Sequence, residues 1–351
     1  MTTLVHPSVT AAEDPVPLRL EEPSRDGELV SVIVPARNEE RCIGATLDSL
    51  RGQDYRNLQI LVVDGASTDS TVAVVDAHRA EDPRIELLHN PRQLIPVALN
   101  IALASARGTW TVRMDAHSTV PPDYVRVAVD RLREGRWGGV GGRKDGCGAQ
   151  PTGQAIAVAL RSRFGVGGSV YHHGVEAQEV DHIPFGAYPT DVVRALGGWD
   201  ERLVANEDFE FDHRLRASGA ALLFDPRLRI DWQSKQSLRD LFAQYHRYGR
   251  GKVDVAVLHP TSLRLRHYLP PMLVVHLTAA AACAPFRPRL AARMAAPYAV
   301  ALVLASTAAA RDLDQLRARA VLPGAFAAMH VGWGLGVWSR ALELATRRGP
   351  A

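Results

Sequence analysis

The stretch Val30–Thr71, VSVIVPARNEERCIGATLDSLRGQDYRNLQILVVDGASTDST, holds two apolar runs with a helical pattern between them and a polar turn after each. Leu29–Val34 and Leu58–Asp64 are near-continuous Val, Ile and Leu, which predicts strands buried on both faces of a parallel sheet. After Glu39, apolar residues recur at three- and four-residue spacing, the signature of an amphipathic helix.

The alternation continues outward. RIELLH (Arg84–His89), WTVRMD (Trp110–Asp115) and the Gly-rich WGGVGG read as further strands, and helical spacing follows Ser67, Arg92 and Asp123. Strand and helix in alternation predict an α/β domain, a mostly parallel sheet with helices on both faces. Such sheets bind ligands beyond the carboxyl ends of their strands. The ends of the first, second and fourth strands carry PARNEE, DGASTDS and DAHS. Asn38, Ser67, Asp69 and Asp123 stand where helix caps are expected, but capping leaves Asp64, Asp115 and His117 together without a reason. Neither G-x-G-x-x-G nor GxxxxGK[ST] follows the first strand, so a diphosphate bound here would need a metal or cationic side chains.

The chain of 351 residues carries a net charge of +3, and that balance does not point to a nucleic-acid partner. Cys42, Cys147 and Cys283 are far apart and lack CxxC spacing, which fits a reducing compartment and excludes a thiolate metal site. Residues 1–28 have neither an apolar run nor a cleavage site and read as a flexible tail on a chain that starts in the cytosol. Around 150–180, Gly and His accumulate in FGVGGSVYHHG, which predicts a mobile loop over the site, with His172 and His173 exposed to solvent. From Asp181 to Gly251 comes a second ordered block with IPFGAYP, LGGWDERLVANEDFEFDHRL, a strand pair around ALLFDPRLRIDW, and a helix carrying QYHRYG.

The last hundred residues differ. Tyr268–Phe286, Met294–Ala310 and Ala320–Ser339 contain no Asp, Glu, Lys or Arg and are separated by Arg-rich connectors. Each is about long enough to cross a bilayer core of roughly 30 Å. Their Ala- and Gly-rich composition also suits a soluble helical cap, or helices lying in the membrane interface. Arg247, Arg250, Lys252, Arg264 and Arg266 ahead of the first segment would hold that junction on the cytosolic side. The chain is thus expected to divide into a tail (1–28), an α/β domain (29–252) and a hydrophobic helical region (253–351) associated with the cytoplasmic membrane.

With these motifs assembled, the chain resembles the inverting family-2 glycosyltransferases of the GT-A fold, and among them the bacterial succinoglycan and exopolysaccharide glucosyltransferases. The resemblance runs from about Val30 to Gly251. It implies a nucleotide pocket lined by Pro35, Ala36, Arg37 and Glu39, with Asp64 and Asp115 on the nucleotide. Many relatives have two adjacent aspartates where this chain has Asp64-Gly65. It implies a Mn²⁺ or Mg²⁺ ion at VRMDAHS, held by Asp115 and His117, with His117 standing where an aspartate is usual. Mn²⁺ accepts both a carboxylate oxygen and an imidazole nitrogen, and a metal neutralises the leaving diphosphate.

In NEDFEFDHRL the resemblance makes Asp208 the catalytic base, with Glu207 before it; the same residues also favour a helix N-terminus. Glu210 and Asp212 read as solvated or structural. QYHRYG resembles a Gln-x-x-Arg-Trp motif; Gln244 and Arg247, three apart, share a helix face and suit an acceptor's phosphate. Tyr248 in place of Trp argues for one sugar per encounter. Gly186, Trp199 and Asp200 match an acceptor-side segment, with Trp199 able equally to pack in the core. The implied reaction moves a sugar from a nucleotide-diphosphate donor, UDP-linked in most relatives, to a lipid-linked saccharide. Transfer to polyprenyl phosphate itself and a catalytically silent membrane scaffold are the alternatives.

Overall fold

A computed structural model describes residues 27–347. The predicted tail therefore lies, up to residue 26, outside the described residues. Glu28 is anchored, its carboxylate accepting hydrogen bonds from Trp110 Nε1 and Arg133 Nε, each at 3.0 Å.

The strands are β1 (Val30–Ala36), β2 (Leu58–Asp64), β3 (Ile85–His89), β4 (Trp110–Arg113), β5 (Ser118–Thr119), β6 (Trp137–Cys147), β7 (Gln178–Val180), β8 (Ala187–Pro189) and β9 (Ala221–Gln233). They form one sheet in the order β3-β2-β1-β4-β8-β6-β9-β5, with β7 also paired to β9. The β3-β2-β1-β4 half is parallel; β8 joins it antiparallel, and β5 and β7 run antiparallel to β9. The sheet is therefore mixed beyond β4. ALLFDPRLRIDW is one long strand, not the expected pair. Its partner β6 shifts register between Gly142 and Arg143, opposite Asp225–Arg229, so Pro226 falls in an irregularity where no ladder donor is required.

The helices are α1 (Ile43–Arg51), α2 (Thr71–Glu81), α3 (Ile95–Ser105), α4 (Tyr124–Leu132), α5 (Pro151–Arg161), α6 (Arg163–Val166), α7 (Thr190–Ala195), α8 (Glu207–Ala217), α9 (Leu238–Leu258), α10 (Leu269–Cys283), α11 (Pro288–Ala309) and α12 (Leu316–Arg347). Alternation along the strands feeds two cores. Val30, Val32 and Val34 with Ile60 and Val62 pack with Ile43 and Leu47 of α1 and with α4. Ile33, Leu61 and Val63 pack on the other face with Leu99 of α3, Val192 of α7 and Phe211 of α8.

The segment expected to be a mobile loop is α5, α6 and a 3₁₀ turn (Val170–His172), with Ala155, Ile156 and Ala159 buried in the first core. His172 is likewise buried, against the expectation of exposure. Two C-terminal helices, α11 and α12, are long and apolar enough to cross a membrane. The 15 residues of α10 rise only about 22 Å, short of a bilayer core. α12 is also part of the folded body, since Leu322, Phe326 and Met329 join the first core with α5. Its glycines let it lie directly on α9: a Cβ at Gly336 would meet the His246 carbonyl at 2.1 Å, and one at Gly249 the Trp333 carbonyl at 2.2 Å.

Candidate active site

The parallel register brings Ala36 of β1 level with Asp64 of β2, and β4 leaves β1 on the other side. The strand order reverses here, so the turns after β1, β2 and β4 open a crevice. Asn38, at φ 55°, ties the first two turns: its Oδ1 accepts from Thr68 N at 2.8 Å, and its own N–H donates to Ser67 Oγ at 2.9 Å. The buried Asp64 carboxylate accepts from Ser67 N at 3.2 Å. Asp69 accepts from Thr71 N at 3.0 Å but precedes the α2 N-cap, Ser70; Asp123 is the N-cap of α4 without a side-chain bond, and Ser67 and Asn38 link the turns to each other.

Beyond β4 the chain delivers three charged groups to one place. Arg113 is 5% exposed; its Nη2 donates to Glu207 Oε1 at 2.9 Å and lies 3.6 Å from Asp115 Oδ1, and its Nη1 is 3.9 Å from Asp208 Oδ2. Burial works against this guanidinium, but Glu207, Asp115 and Asp208 raise its pKa still further, so it is a permanent cation. Burial raises the Glu207 carboxyl pKa, opposed by Arg113. For Asp208 burial is outweighed by the charges of His182 and Arg113, which hold its pKa below the ordinary value. Of the two neighbours, Asp208 is thus the ready proton acceptor, with a side chain 28% exposed to the cavity.

His182 is held from behind. Its Nδ1 lies 2.7 Å from Asp212 Oδ2, and its Nε2 is 3.9 Å from Asp208 Oδ2. Asp212, fully buried, also accepts from Ile183 N and Tyr188 OH, each at 2.9 Å. Burial lowers the His182 pKa, but Asp208 and Asp212 together raise it above its usual value. Lys144 of β6 stands 3.8 Å from the Trp232 ring, its pKa brought down to about 8 by burial despite Asp115 and Asp208.

Asp115, His117, Lys144, His182, Glu207 and Asp208 all line one cavity of about 690 Å³, together with Gln244, Arg247 and Tyr248 of α9. Gln244 Nε2 donates to Tyr248 OH at 2.9 Å. Leu269 and Leu273 of α10, Tyr298 of α11 and Trp333 of α12 close its far wall. The cavity is therefore charged at the strand ends and apolar toward the C-terminal helices.

The set that could hold a metal is small. His117 Nδ1 is 3.1 Å from Glu39 Oε1, which orients the ring and leaves Nε2 for a ligand. Among the described residues no three His, Cys, Asp or Glu side chains converge as a complete ligand set. Asp115 and His117 fit an ion that takes its remaining oxygens from a diphosphate and water, as Mg²⁺ and Mn²⁺ commonly do.

Of the expected acceptor residues, Trp199 and Asp200 lie away from the cavity, whereas Gly186 follows its lining residues Pro184 and Phe185 and accepts from Arg113 N at 3.0 Å. Trp199 is 2% exposed and packs on Phe211 with ring centroids 5.2 Å apart. Asp200 is paired to Arg202 at 2.5 Å and lines a separate surface hollow. Gly186 is glycine for packing: a Cβ there would meet Tyr188 OH at 2.2 Å. Pro35, Ala36, Arg37 and Asp64 belong to the crevice beside the cavity, joined to it through Glu39 and His117.

Arg113, Lys144 and His182 were not anticipated, and Lys252, expected among the cations of the membrane junction, is instead buried against the cavity. Arg113 alone had a visible signal, a charged residue inside a buried strand and two before Asp115, on the same face by alternation.

The sequence model of glycosyl transferase family 2 matches residues 31–164. The succinoglycan biosynthesis protein ExoA of Rhizobium meliloti is 32% identical over 243 residues, spanning 68% of this chain and 73% of that protein. A Methanococcus voltae dolichyl N-acetyl-alpha-D-glucosaminyl phosphate 3-beta-D-2,3-diacetamido-2,3-dideoxy-beta-D-glucuronosyltransferase is 26% identical, spanning 64% of this chain and 72% of its own. The fold is similar to that of the mannosyltransferase PcManGT from Pyrobaculum calidifontis, solved with GDP-Man and Mn2+. The two share a TM-score of 0.59 and 21% identity over 94% of this chain and 91% of the other. With that relationship and the GT-A architecture in hand, the chain belongs to family 2 of the glycosyltransferases and is a glycosyltransferase.

Proposed function

We propose that the enzyme transfers a sugar, with inversion, from a nucleotide-diphosphate donor, UDP-linked as the working choice, to a lipid-linked saccharide at the cytosolic face of the cytoplasmic membrane. The observation that carries this is the single cavity in which the Asp208 carboxylate faces Asp115 and His117 at one end and the apolar helices at the other. The relatives support it: one is a succinoglycan biosynthesis protein, and another is named for a dolichyl-phosphate-linked sugar.

In this reading the nucleotide lies over the β1 and β2 turns, against Arg37 and Asp64. Asp115 and His117 would hold Mn²⁺ or Mg²⁺, which when bound neutralises the diphosphate. Asp208 takes the proton of the acceptor hydroxyl as its oxygen bonds to the anomeric carbon. The bond from that carbon to the diphosphate oxygen breaks, and the nucleoside diphosphate leaves. One displacement inverts the anomeric centre. His182 and Arg113 keep Asp208 ionised, and Gln244 and Arg247 bind the acceptor side. The apolar helices fix the domain at the membrane, with Arg264 and Arg266 at the junction.

Transfer from a panel of nucleotide sugars to a diphosphate-linked glycolipid, with and without a chelator, tests the reading. Activity should appear with one donor class, give the inverted anomer and vanish on chelation, returning with Mn²⁺. Chelator-insensitive turnover would remove the metal from the account. Turnover with polyprenyl phosphate alone would replace the acceptor.

A further inference from the structure

Lys252 of α9 and Trp333 of α12 line the same cavity as Asp208, on the side of the C-terminal helices, and each ends in a buried donor. Lys252 of α9 is 3% exposed, and its Nζ has no hydrogen-bond partner; it stands over the Phe209 ring, 3.2 Å away. Trp333 Nε1, on the facing α12, is likewise buried and unpartnered, and both residues line the cavity. Trp333 is stacked with His267 at 6.4 Å. Asp181 and Asp208 act on the lysine only through space, and Asp181 is already engaged by Arg264 at 3.1 Å and Arg266 at 2.8 Å.

A buried ammonium without a counter-ion is costly, and an N–H left unpaired beside it adds to that cost. Burial and Arg266, outweighing Asp181 and Asp208, bring the Lys252 pKa down to about 7. Beyond this pair the wall turns apolar, through Leu269, Leu273, Tyr298 and Met329. Two buried unpaired donors beside largely apolar side chains suit one ligand class, a phosphate or diphosphate ester of a long hydrocarbon.

We propose that Lys252 and Trp333 form the subsite for the phosphate of the lipid-linked acceptor, with the hydrocarbon chain running between α6, α10 and α12. This rests on the transferase reading for its place next to Asp208, but not for its ligand chemistry. The site differs from the donor's, where Arg113 and Lys144 supply the positive charge at Asp115.

Binding tests it without turnover. Full-length protein in detergent is titrated calorimetrically with farnesyl diphosphate, farnesol and inorganic diphosphate. The wild type should bind farnesyl diphosphate most tightly. Lys252→Met should weaken that affinity by about tenfold or more, the scale of one charge-assisted hydrogen bond, while leaving farnesol within about twofold. Lys252→Arg should retain most of the affinity, and Trp333→Phe should lose part of it. Thermal stabilisation by nucleoside diphosphate with Mn²⁺ should be the same in all variants, which shows that each is folded with its donor pocket intact. Equal affinities for farnesyl diphosphate and farnesol in the wild type, or undiminished binding by folded Lys252→Met, would overturn the proposal. Failure of all sugar transfer with this binding pattern intact would instead overturn the transferase reading.

Discussion

At the residue scale, the acidic group that matters is tuned by neighbours that are not themselves conspicuous in the sequence. Asp208 is half-buried, and its desolvation favours the protonated form, yet His182 and Arg113 reverse that preference. A base must be deprotonated to work, so lowering its pKa moves the acidic limb of kcat/KM to lower pH. His182 carries its charge further up the pH scale than a free imidazole because Asp208 and Asp212 outweigh its burial. His182→Asn removes that charge, so the acidic limb should move up toward the ordinary carboxylate range, with donor affinity little changed. An unshifted limb in the pH profile would separate His182 from the base. Asp115, His117, Glu207 and Asp208 were legible in the sequence because they fall in short motifs at strand and helix ends. Arg113, Lys144 and His182 were not. Each is defined by what surrounds it across long stretches of chain: the His182 partner, Asp212, is 30 residues away, and Glu207 is 94 residues from Arg113. Trp199 shows the opposite failure, since an aromatic beside glycines gives no sign of whether it faces sugar or the Phe211 ring.

At the element scale, β1 to β4 and their helices were readable because period-two and three-to-four-residue patterns are local. β5, β7 and β8, two or three residues long, carry no such period, and they are what turns the sheet antiparallel. The segment 150–180 misled because its Gly and His residues suggested a loop, whereas Ile156, Ala159 and Phe164 pack against α12, about 170 residues further on. The C-terminal helices divide by role. α12 is pinned along α9 by close backbone approach at Gly336 and Gly249, while α11 presents Val300, Val303 and Leu304, each more than half exposed. If α11 is the membrane-facing element, the double substitution of Val303→Asp and Leu304→Asp should cut binding to anionic phospholipid vesicles by roughly a hundredfold, since each side chain contributes about 1.5–3 kcal/mol when buried in lipid. Flotation of wild type and variant on a density gradient reads this directly. Equal flotation would assign the membrane contact to another helix.

At the scale of the whole molecule, one cavity joins two surfaces of different character. In the proposed reading, strand-end turns of the parallel half supply the donor side; α8 brings Asp208 to the cavity, and α9 carries Gln244 and Arg247 into its lining. Because α12 lies on α9, the helix proposed to hold the acceptor-side residues is also the one to which the hydrophobic region is docked. The C-terminal helices are thus a wall of the site as well as a candidate anchor, which an apolar composition alone could not reveal. The central claim is that Asp208 removes the acceptor proton in this cavity. Its most direct test compares wild type and Asp208→Asn for glycosyl transfer and for donor binding in the same preparation. The account predicts that transfer falls by roughly 10²–10⁴-fold, the contribution of a general base, while the dissociation constant for the donor nucleotide stays within about threefold. Transfer by Asp208→Asn at the wild-type rate would contradict it.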